Sequence, residues 1–171
     1  MAVTPDALFA FLAELGIETK TIEHPPLFTV EESQSLRGEI PGAHCKNLFV
    51  KDKKGRVFLI VAEEEATIDL KQVHTIIGGS GRVSFGKADL LGELLGVEPG
   101  SVTPFGVIND TEQRVSVVLD AAMMAEPVVN YHPLINTMTT TIASGDLVKF
   151  IQATGHEPQI LAVSAESQAM A

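Results

Sequence analysis

Residues 45–62 have the sequence CKNLFVKDKKGRVFLIVA, in which two apolar runs flank a short polar segment. The runs Cys45 to Lys51 and Arg56 to Ala62 are rich in β-branched and aromatic residues, as strands are. The segment between them, Asp52-Lys53-Lys54-Gly55, has Asp first and Gly fourth, which favours a type I turn. The sequence therefore predicts an antiparallel hairpin, around which the other elements can be arranged.

Helices are predicted where apolar residues recur at helical spacing beside start and stop signals. These segments run from Thr4-Pro5 to Gly16, from Thr29 to Gly38, from Asp69 to Ile77, from Leu91 to Gly96 and from Ser144 to Gly155. Further strands are predicted at 17–23, 115–119, 128–131, 137–142 and 159–163. The order of elements lacks a strict βαβ alternation, which favours an α+β fold with a mixed sheet.

The chain has 171 residues, 45% of them hydrophobic and 20% charged, a size and composition typical of one compact domain. We predict a single domain at 1–164 and a disordered tail at 165–171.

A lone cysteine, Cys45, excludes an internal disulfide and favours a reducing compartment. The N-terminus lacks a basic leader, and no apolar run approaches the ~20 residues of a membrane span. A cytoplasmic location without membrane contact is expected.

The net charge of −10 argues against broad binding to a nucleic-acid backbone, because such binding depends on neutralising phosphates. No DNA partner is expected. Contact with a nucleic acid would have to be confined to a small basic patch. The residues that could supply it are Lys46, Lys51, Lys53, Lys54, Arg56 and Arg82.

The segment Gly78-Gly79-Ser80-Gly81-Arg82 approaches the GxSxG nucleophile elbow but has Arg82 where glycine is required. Its backbone N–H groups can cradle a phosphate beside Arg82, and an ordinary flexible turn is an equal alternative.

The histidines, at 24, 44, 74, 132 and 156, show no HxxxH or HExxH spacing. We expect no metal and no cofactor. His74 is predicted to be a core histidine, Cys45 a buried inert thiol and Glu63 to Glu65 a solvated strand end.

Strand alternation places Lys46 on the same face as Leu48 and Val50. A lysine on that buried face lowers the stability of the fold unless it has a function or reaches water at the rim of the sheet. Both interpretations remain open from the pattern alone.

Five segments resemble, in order, the YbaK/ProX aminoacyl-tRNA deacylases, which are related to the editing insertion of bacterial prolyl-tRNA synthetase. They are Phe28-Thr29-Val30-Glu31-Glu32-Ser33, Gly38-Glu39-Ile40-Pro41-Gly42, Lys46-Asn47-Leu48-Phe49, the GxxxP segment Gly100-Ser101-Val102-Thr103-Pro104, and His132-Pro133-Leu134. The resemblance covers roughly residues 5 to 163 and is strongest to the alanyl-tRNA(Pro) deacylase branch, ProXp-ala, through GEIPG and KNLFVKDKKG.

The resemblance implies a compact α+β domain with a mixed, barrel-like central sheet flanked by helices. It also implies a trans-editing hydrolase, an aminoacyl-tRNA deacylase acting on mischarged tRNA(Pro). The catalytic residues carried over are Lys46, Gly100 and His132. Asn47 and Arg82 are expected to contact the terminal nucleotide and its phosphate. The remaining predicted substrate contacts are Ser80 in the glycine-rich loop, Pro104 in the GxxxP segment, and Leu27, Val30 and Val102, whose bulk would exclude proline.

The expected partners are the acceptor end of mischarged tRNA(Pro) and prolyl-tRNA synthetase. Three alternatives remain open: a deacylase for a cysteinyl, seryl or threonyl group, a noncatalytic module that binds aminoacyl-tRNA or a small ligand, and a synthetase-associated interaction protein whose acidic surface docks a basic partner.

Overall fold

The computed structural model describes residues 2–26 and 40–170. The strands are β1 Thr19–Glu23, β2 Ala43–Lys51, β3 Val57–Glu63, β4 Ser84–Phe85, β5 Val115–Asp120, β6 Val128–Tyr131, β7 Met138–Ala143 and β8 Gln159–Leu161. The helices are α1 Pro5–Glu14, α2 Val73–Ile77, α3 Ala88–Leu95, α4 Ala121–Met124, α5 Ser144–Ala153 and α6 Ala165–Met170, with 3₁₀ helices at Pro99–Ser101 and Pro104–Asn109. The helix predicted from Thr29 to Gly38 lies outside the described residues.

The predicted hairpin is confirmed by the antiparallel pairing of β2 with β3, in which Leu48 lies opposite Ile60. The turn is closed by a hydrogen bond of 3.1 Å from the Gly55 N–H to the Asp52 carbonyl. Gly55 has φ +80°, a backbone conformation that glycine adopts without steric cost. The sequence signal for this hairpin lies in neighbouring residues, so its prediction did not depend on distant contacts.

The strands form one mixed sheet in the order β1-β7-β6-β2-β3-β5-β8, with β4 also paired to β2. Parallel pairs join β2 to β6, β3 to β5 and β5 to β8, and the other pairs are antiparallel. The predicted α+β fold with a mixed sheet is confirmed. The sheet is open rather than closed into a barrel, because in the described part of the chain the end strands β1 and β8 pair only with β7 and β5.

Apolar side chains pack on both faces of the central strands. Along β3, Leu59 and Val61 join the larger hydrophobic cluster, and Phe58 and Ile60 join the smaller one. Helix α1 packs on the larger cluster and begins at Thr4, whose hydroxyl accepts a hydrogen bond of 3.2 Å from the Ala7 N–H. Each fully buried side chain of this size contributes about 1.5–3 kcal/mol, so β3 is a central determinant of stability.

The expected disorder of the tail is wrong for residues 165–170, which form α6. Ser167 is buried, and its hydroxyl donates to Asp120 at 2.6 Å and accepts from the Ala122 N–H at 2.8 Å. These anchors lie far away in sequence, so the polar local composition concealed them. The domain boundary at residue 164 stays a prediction. In the described ranges, no helix has the length and apolarity needed to cross a membrane.

Candidate active site

One edge of β2 carries a break in strand pairing. β3 covers the opposite edge from Cys45 to Lys51, whereas this edge pairs with β6 at 43–44 and with β4 at 50–51. Between these pairings, within the residues that the structure describes, 45–48 face no strand. A strand edge of this kind presents backbone donors and acceptors that a ligand can use.

Lys46 lies in this break, opposite Ala62 of β3. Leu48 and Val50 pack in the smaller cluster, which confirms the predicted face of Lys46. The lysine side chain is half-buried, and its Nζ donates a hydrogen bond of 2.5 Å to the Ala66 carbonyl. An ammonium has three N–H donors, so Ala66 fixes one direction and the group retains further donor capacity. Lys46 is thus a rim lysine with a defined partner.

His132 follows the last residue of β6, Tyr131, directly. The parallel register places His44 opposite Asn130, and Lys46 and His132 each stand two residues farther along. The parallel pairing of β2 with β6 ends at His44 and Asn130, before either Lys46 or His132 is reached.

The hydrogen bonding of His132 defines its tautomer. Its Nδ1 lies 2.9 Å from the Met138 carbonyl, which can only accept, so Nδ1 carries the proton. Burial lowers the pKa of His132 from 6.5, the Met138 bond opposes this shift, and nearby His24 adds to it. The neutral ring is therefore favoured, with Nε2 as an acceptor.

The GxxxP segment abuts the loop that follows His132. A Cβ placed on Gly100 would lie 3.4 Å from Nδ2 of Asn136, which belongs to that loop. Val102 is half-buried against the larger cluster, and Pro104 is buried at the start of the second 3₁₀ helix. The structure thus places Gly100 against the loop that follows His132.

Asn47 lies next to Lys46 but on the opposite face of β2, since alternation groups it with Cys45 and Phe49. Its Oδ1 is buried and has no hydrogen-bond partner in the described parts of the chain. A buried acceptor without a partner costs about 1–3 kcal/mol, so this atom is suited to a ligand donor. The predicted contact by Asn47 would therefore come from the other side of the strand.

Ser80 and Arg82 lie at the far end of β2, beside the hairpin turn. Asp52 accepts from the Ser80 N–H at 2.8 Å, and the Ser80 carbonyl accepts from the Lys53 N–H at 2.9 Å. The five-residue step from Lys46 to Lys51 spans about 17 Å of strand. Lys46 is therefore separate from the other basic residues of the predicted patch.

The glycine-rich loop uses part of its backbone internally. The Ser80 N–H bonds Asp52, and the Gly79 N–H bonds the His74 carbonyl at 2.8 Å. These two donors are not available to cradle a phosphate. The positive charge at this end comes from exposed side chains, which are Lys53, Lys54, Arg56 and Arg82. We call these four residues the basic tip.

Two cavities lie beside the backbone partners of His132 and Lys46, which are Met138 and Ala66. One of about 470 Å³ is lined by Glu23, His24, Ile135, Thr137 and Met138 beside the His132 loop. Another of about 280 Å³ is lined by Glu63, Glu65, Ala66, Asp120, Ala122 and Glu166.

The Ala66 and Met138 carbonyls, which hold Lys46 and His132, are backbone groups with no signal in the sequence. Leu27 and Val30, predicted to line the substrate pocket, lie outside the described residues.

Cys45 is a poor nucleophile here. Burial raises the pKa of its thiol to about 12, although a hydrogen bond with Tyr131 opposes the shift. This agrees with the predicted inert thiol. In residues 2–26 and 40–170, no group of three or more His, Cys, Asp or Glu side chains could hold a metal ion.

Comparison with known proteins extends the resemblance. Residues 24–150 match the family model of the aminoacyl-tRNA editing domain. The prolyl-tRNA editing protein ProX of Acetoanaerobium sticklandii is 39% identical over 151 residues, covering 88% of this chain and 92% of that protein. Prolyl-tRNA synthetase associated domain-containing protein 1 of Danio rerio is 39% identical over 153 residues, covering 88% of this chain and 83% of that protein.

The fold has close counterparts as well. A crystal structure described as a candidate trans-editing enzyme for prolyl tRNA synthetase shares the fold with a TM-score of 0.69 at 20% identity, covering 94% of this chain and 98% of that one. The matched segment contains Lys46, Gly100 and His132, the three residues predicted to be catalytic. The family match and the two relatives show that this chain belongs to the aminoacyl-tRNA editing domain family.

Proposed function

We propose that the protein is a trans-acting deacylase that hydrolyses mischarged tRNA(Pro), with the alanyl ester as its preferred substrate. Family membership supports the editing reaction. The observation that carries the proposal is the half-buried Lys46 ammonium, held by the Ala66 carbonyl at a break in the sheet. A cation fixed at a partly buried site is a preorganised electrostatic group, which is the main requirement of this reaction.

An aminoacyl ester is already activated, so its hydrolysis needs no protein nucleophile. Water attacks the ester carbonyl carbon, the bond to the ribose oxygen breaks, and the water proton ends on that oxygen. We assign to Lys46 the stabilisation of the developing oxyanion, helped by backbone N–H groups of the Gly100 segment. Neutral His132 offers Nε2 as an acceptor for the water or for the vicinal ribose hydroxyl.

The preference for alanine follows from a size argument. A synthetase pocket built for proline gains only about 1–3 kcal/mol against a smaller side chain, so alanine escapes the first selection. A second, smaller pocket then removes it and leaves prolyl-tRNA intact. We assign the size limit to Val102, with Leu27 and Val30 as further lining residues, and the similarity to the alanine branch supports this choice.

The basic tip provides a place for the tRNA backbone. Its four exposed cations lie about 17 Å or more along β2 from Lys46, a separation that suits phosphates of the acceptor stem when the terminal ester is at Lys46. Confining contact to this tip reconciles tRNA binding with a net charge of −10. We further propose that the protein acts in the cytoplasm and that prolyl-tRNA synthetase is a second partner.

The test is deacylation of alanyl-tRNA(Pro) by catalytic amounts of purified protein, in parallel with the prolyl, cysteinyl, seryl and threonyl esters. Multiple turnover on the alanyl ester with prolyl-tRNA(Pro) intact is expected. Retention of aminoacyl-tRNA without turnover would instead identify a binding module. Preference for the cysteinyl, seryl or threonyl ester would overturn the alanine assignment, and rapid loss of prolyl-tRNA(Pro) would overturn the editing role.

A further inference from the structure

One peptide unit stands between a carboxylate on α6 and the ammonium of Lys46. Its carbonyl, from Ala66, accepts from Lys46 Nζ at 2.5 Å. Its N–H, from Thr67, donates to the two carboxylate oxygens of Glu166 at 2.9 and 3.2 Å. The Thr67 hydroxyl adds a third bond to Glu166 at 3.0 Å. Glu166 and Lys46 are thus linked through opposite ends of the same amide.

An amide transmits polarisation between its two ends. A carboxylate at the N–H draws the proton towards itself, which increases the negative charge on the carbonyl oxygen and strengthens the bond that this oxygen accepts. Both outer bonds involve charged groups and are therefore stronger than neutral ones. The backbone bond from Thr67 lowers the pKa of Glu166, and the nearby charge of Lys46 contributes in the same direction. The anionic form that this linkage requires is therefore favoured.

Helix α6 is held in place independently of Glu166. The Ala165 N–H donates to the Thr67 carbonyl at 2.8 Å, and Ser167 bonds Asp120 at 2.6 Å. The carboxylate of Glu166 therefore approaches the Ala66–Thr67 peptide from a fixed helix. This helix lies beyond residues 24–150, the segment matched by the family model.

We propose that Glu166 is a positioning residue for Lys46, acting through the Ala66–Thr67 peptide to hold the ammonium at the break in β2. The inference rests on the role of Lys46 in the proposed function. A residue that only stabilises the fold would affect stability and leave the deacylation rate of the folded protein unchanged. A positioning residue affects the rate itself, and its charge matters as well as its shape.

The variants that separate these roles are Glu166→Ala and Glu166→Gln. Glutamine can still accept the Thr67 N–H bond through its amide oxygen but carries no charge. Gln168→Ala is the matched control, because Gln168 is exposed on the same helix and its side chain donates to the Ala162 carbonyl, at 3.4 Å. Thermal melting verifies that each variant is folded at the assay temperature.

Two measurements are made on each variant. The first is the steady-state rate on alanyl-tRNA(Pro) across substrate concentrations, which separates the maximal rate from KM. We expect Glu166→Ala to lower the maximal rate roughly tenfold with little change in KM, the order of effect of one charge-assisted hydrogen bond. Glu166→Gln should give a smaller loss, and Gln168→Ala none.

The second measurement is the modification rate of Lys46 by an amine acylating reagent, followed by peptide mass spectrometry relative to exposed Lys71. Release from the Ala66 carbonyl should raise it several-fold in Glu166→Ala. Unchanged modification and an unchanged rate in an active protein would overturn the inference and leave the proposed function standing. A wild-type protein without deacylase activity, in which Lys46 modification still rises in Glu166→Ala, would overturn the proposed function and retain the linkage.

Discussion

Asp110 and His156 form a buried pair in which His156 Nε2 lies 2.8 Å from Asp110 Oδ2, with side chains only 1% and 3% exposed. The Thr154 hydroxyl donates to the Ile151 carbonyl at 2.7 Å and therefore accepts from His156 Nδ1, 2.9 Å away. Asp110 also accepts from the Val115 N–H at 2.8 Å. The pair joins the end of α5 to the start of β5.

His156→Leu should lower the free energy of unfolding by about 3–5 kcal/mol, because it leaves the Asp110 carboxylate buried without its partner. Urea unfolding measures this loss. Gln152→Ala, which removes an exposed contact of 3.2 Å with Glu157, is the control and should change stability by less than about 0.5 kcal/mol. Equal midpoints for the two variants would show that the pair contributes little.

Asp52 should give the protein an acid-sensitive component of stability. Burial alone would raise the pKa of its carboxyl, but hydrogen bonds from the Ser80 and Arg56 backbone, the Arg56 side chain and the Lys54 backbone outweigh burial and lower it from 3.8 to about 2. A lowered carboxyl pKa stabilises the fold fully above the unfolded value of 3.8, and this contribution is lost as pH falls from 3.8 to about 2.

Asp52→Asn should remove this component, so that stability changes less with pH across that window than it does in the wild type. Urea unfolding at several pH values within it measures the difference. Asp89→Asn, at an exposed position of α3, is the control and should follow the wild-type curve. Parallel curves for wild type and Asp52→Asn would contradict the prediction.

Lys46→Ala should leave the protein folded and reduce deacylation about 10²–10³-fold, the effect of losing one oxyanion donor. Single-turnover deacylation and circular dichroism measure the two parts. Lys71→Ala, at an exposed position before α2, should retain wild-type activity. A folded Lys46→Ala protein with a near-wild-type rate would remove Lys46 from the mechanism.

Cys45 should resist thiol reagents in the native protein. With its pKa raised by burial to about 12, the thiolate is outnumbered by the thiol about 10⁵-fold at pH 7. Labelling followed by absorbance should be slow in buffer and fast after unfolding in urea. Rapid stoichiometric labelling of the native protein would show that the thiol is accessible and ionised.

Val102→Ala should widen the range of esters that are hydrolysed. Removing two methyl groups from a pocket limited by size admits a bulkier aminoacyl group while alanine is still accepted. The ratio of prolyl to alanyl deacylation should therefore rise over the wild type. Val148→Ala is the control, because Val148 is another half-buried valine against the same cluster, on α5. An equal change in both variants would indicate general loosening of the core.

Local patterns predicted the fold well where local forces decide it. The β2–β3 hairpin and the start of α1 at Thr4 follow from alternation, turn residues and a capping hydroxyl a few positions apart. The face of Lys46 followed from the same alternation. Helix α6 was missed because its anchor is tertiary, the bond from Ser167 to Asp120 across 47 residues.

The site was predicted less completely, for a physical reason. Lys46 and His132 are held by the carbonyls of Ala66 and Met138, and every residue has a carbonyl, so side-chain identity cannot reveal these partners. Ser80 was predicted as a substrate contact because it lies in the glycine-rich loop, and the sheet places that loop at the far end of β2 from Lys46. Spacing along a chain does not specify which end of a strand faces a ligand.

The parallel pairing of β2 with β6 also determines when, during synthesis of the chain, the site can form. Asn130 Nδ2 bonds the Pro41 carbonyl across 89 residues, and a parallel pair cannot form before both strands have been made. At about 5–20 residues per second, a ribosome needs roughly 4–18 s to make the chain between them. Lys46 therefore leaves the ribosome well before the strand that leads to His132, and a nascent chain has only half of the site. The onset of activity during synthesis would report completion of this long-range pairing.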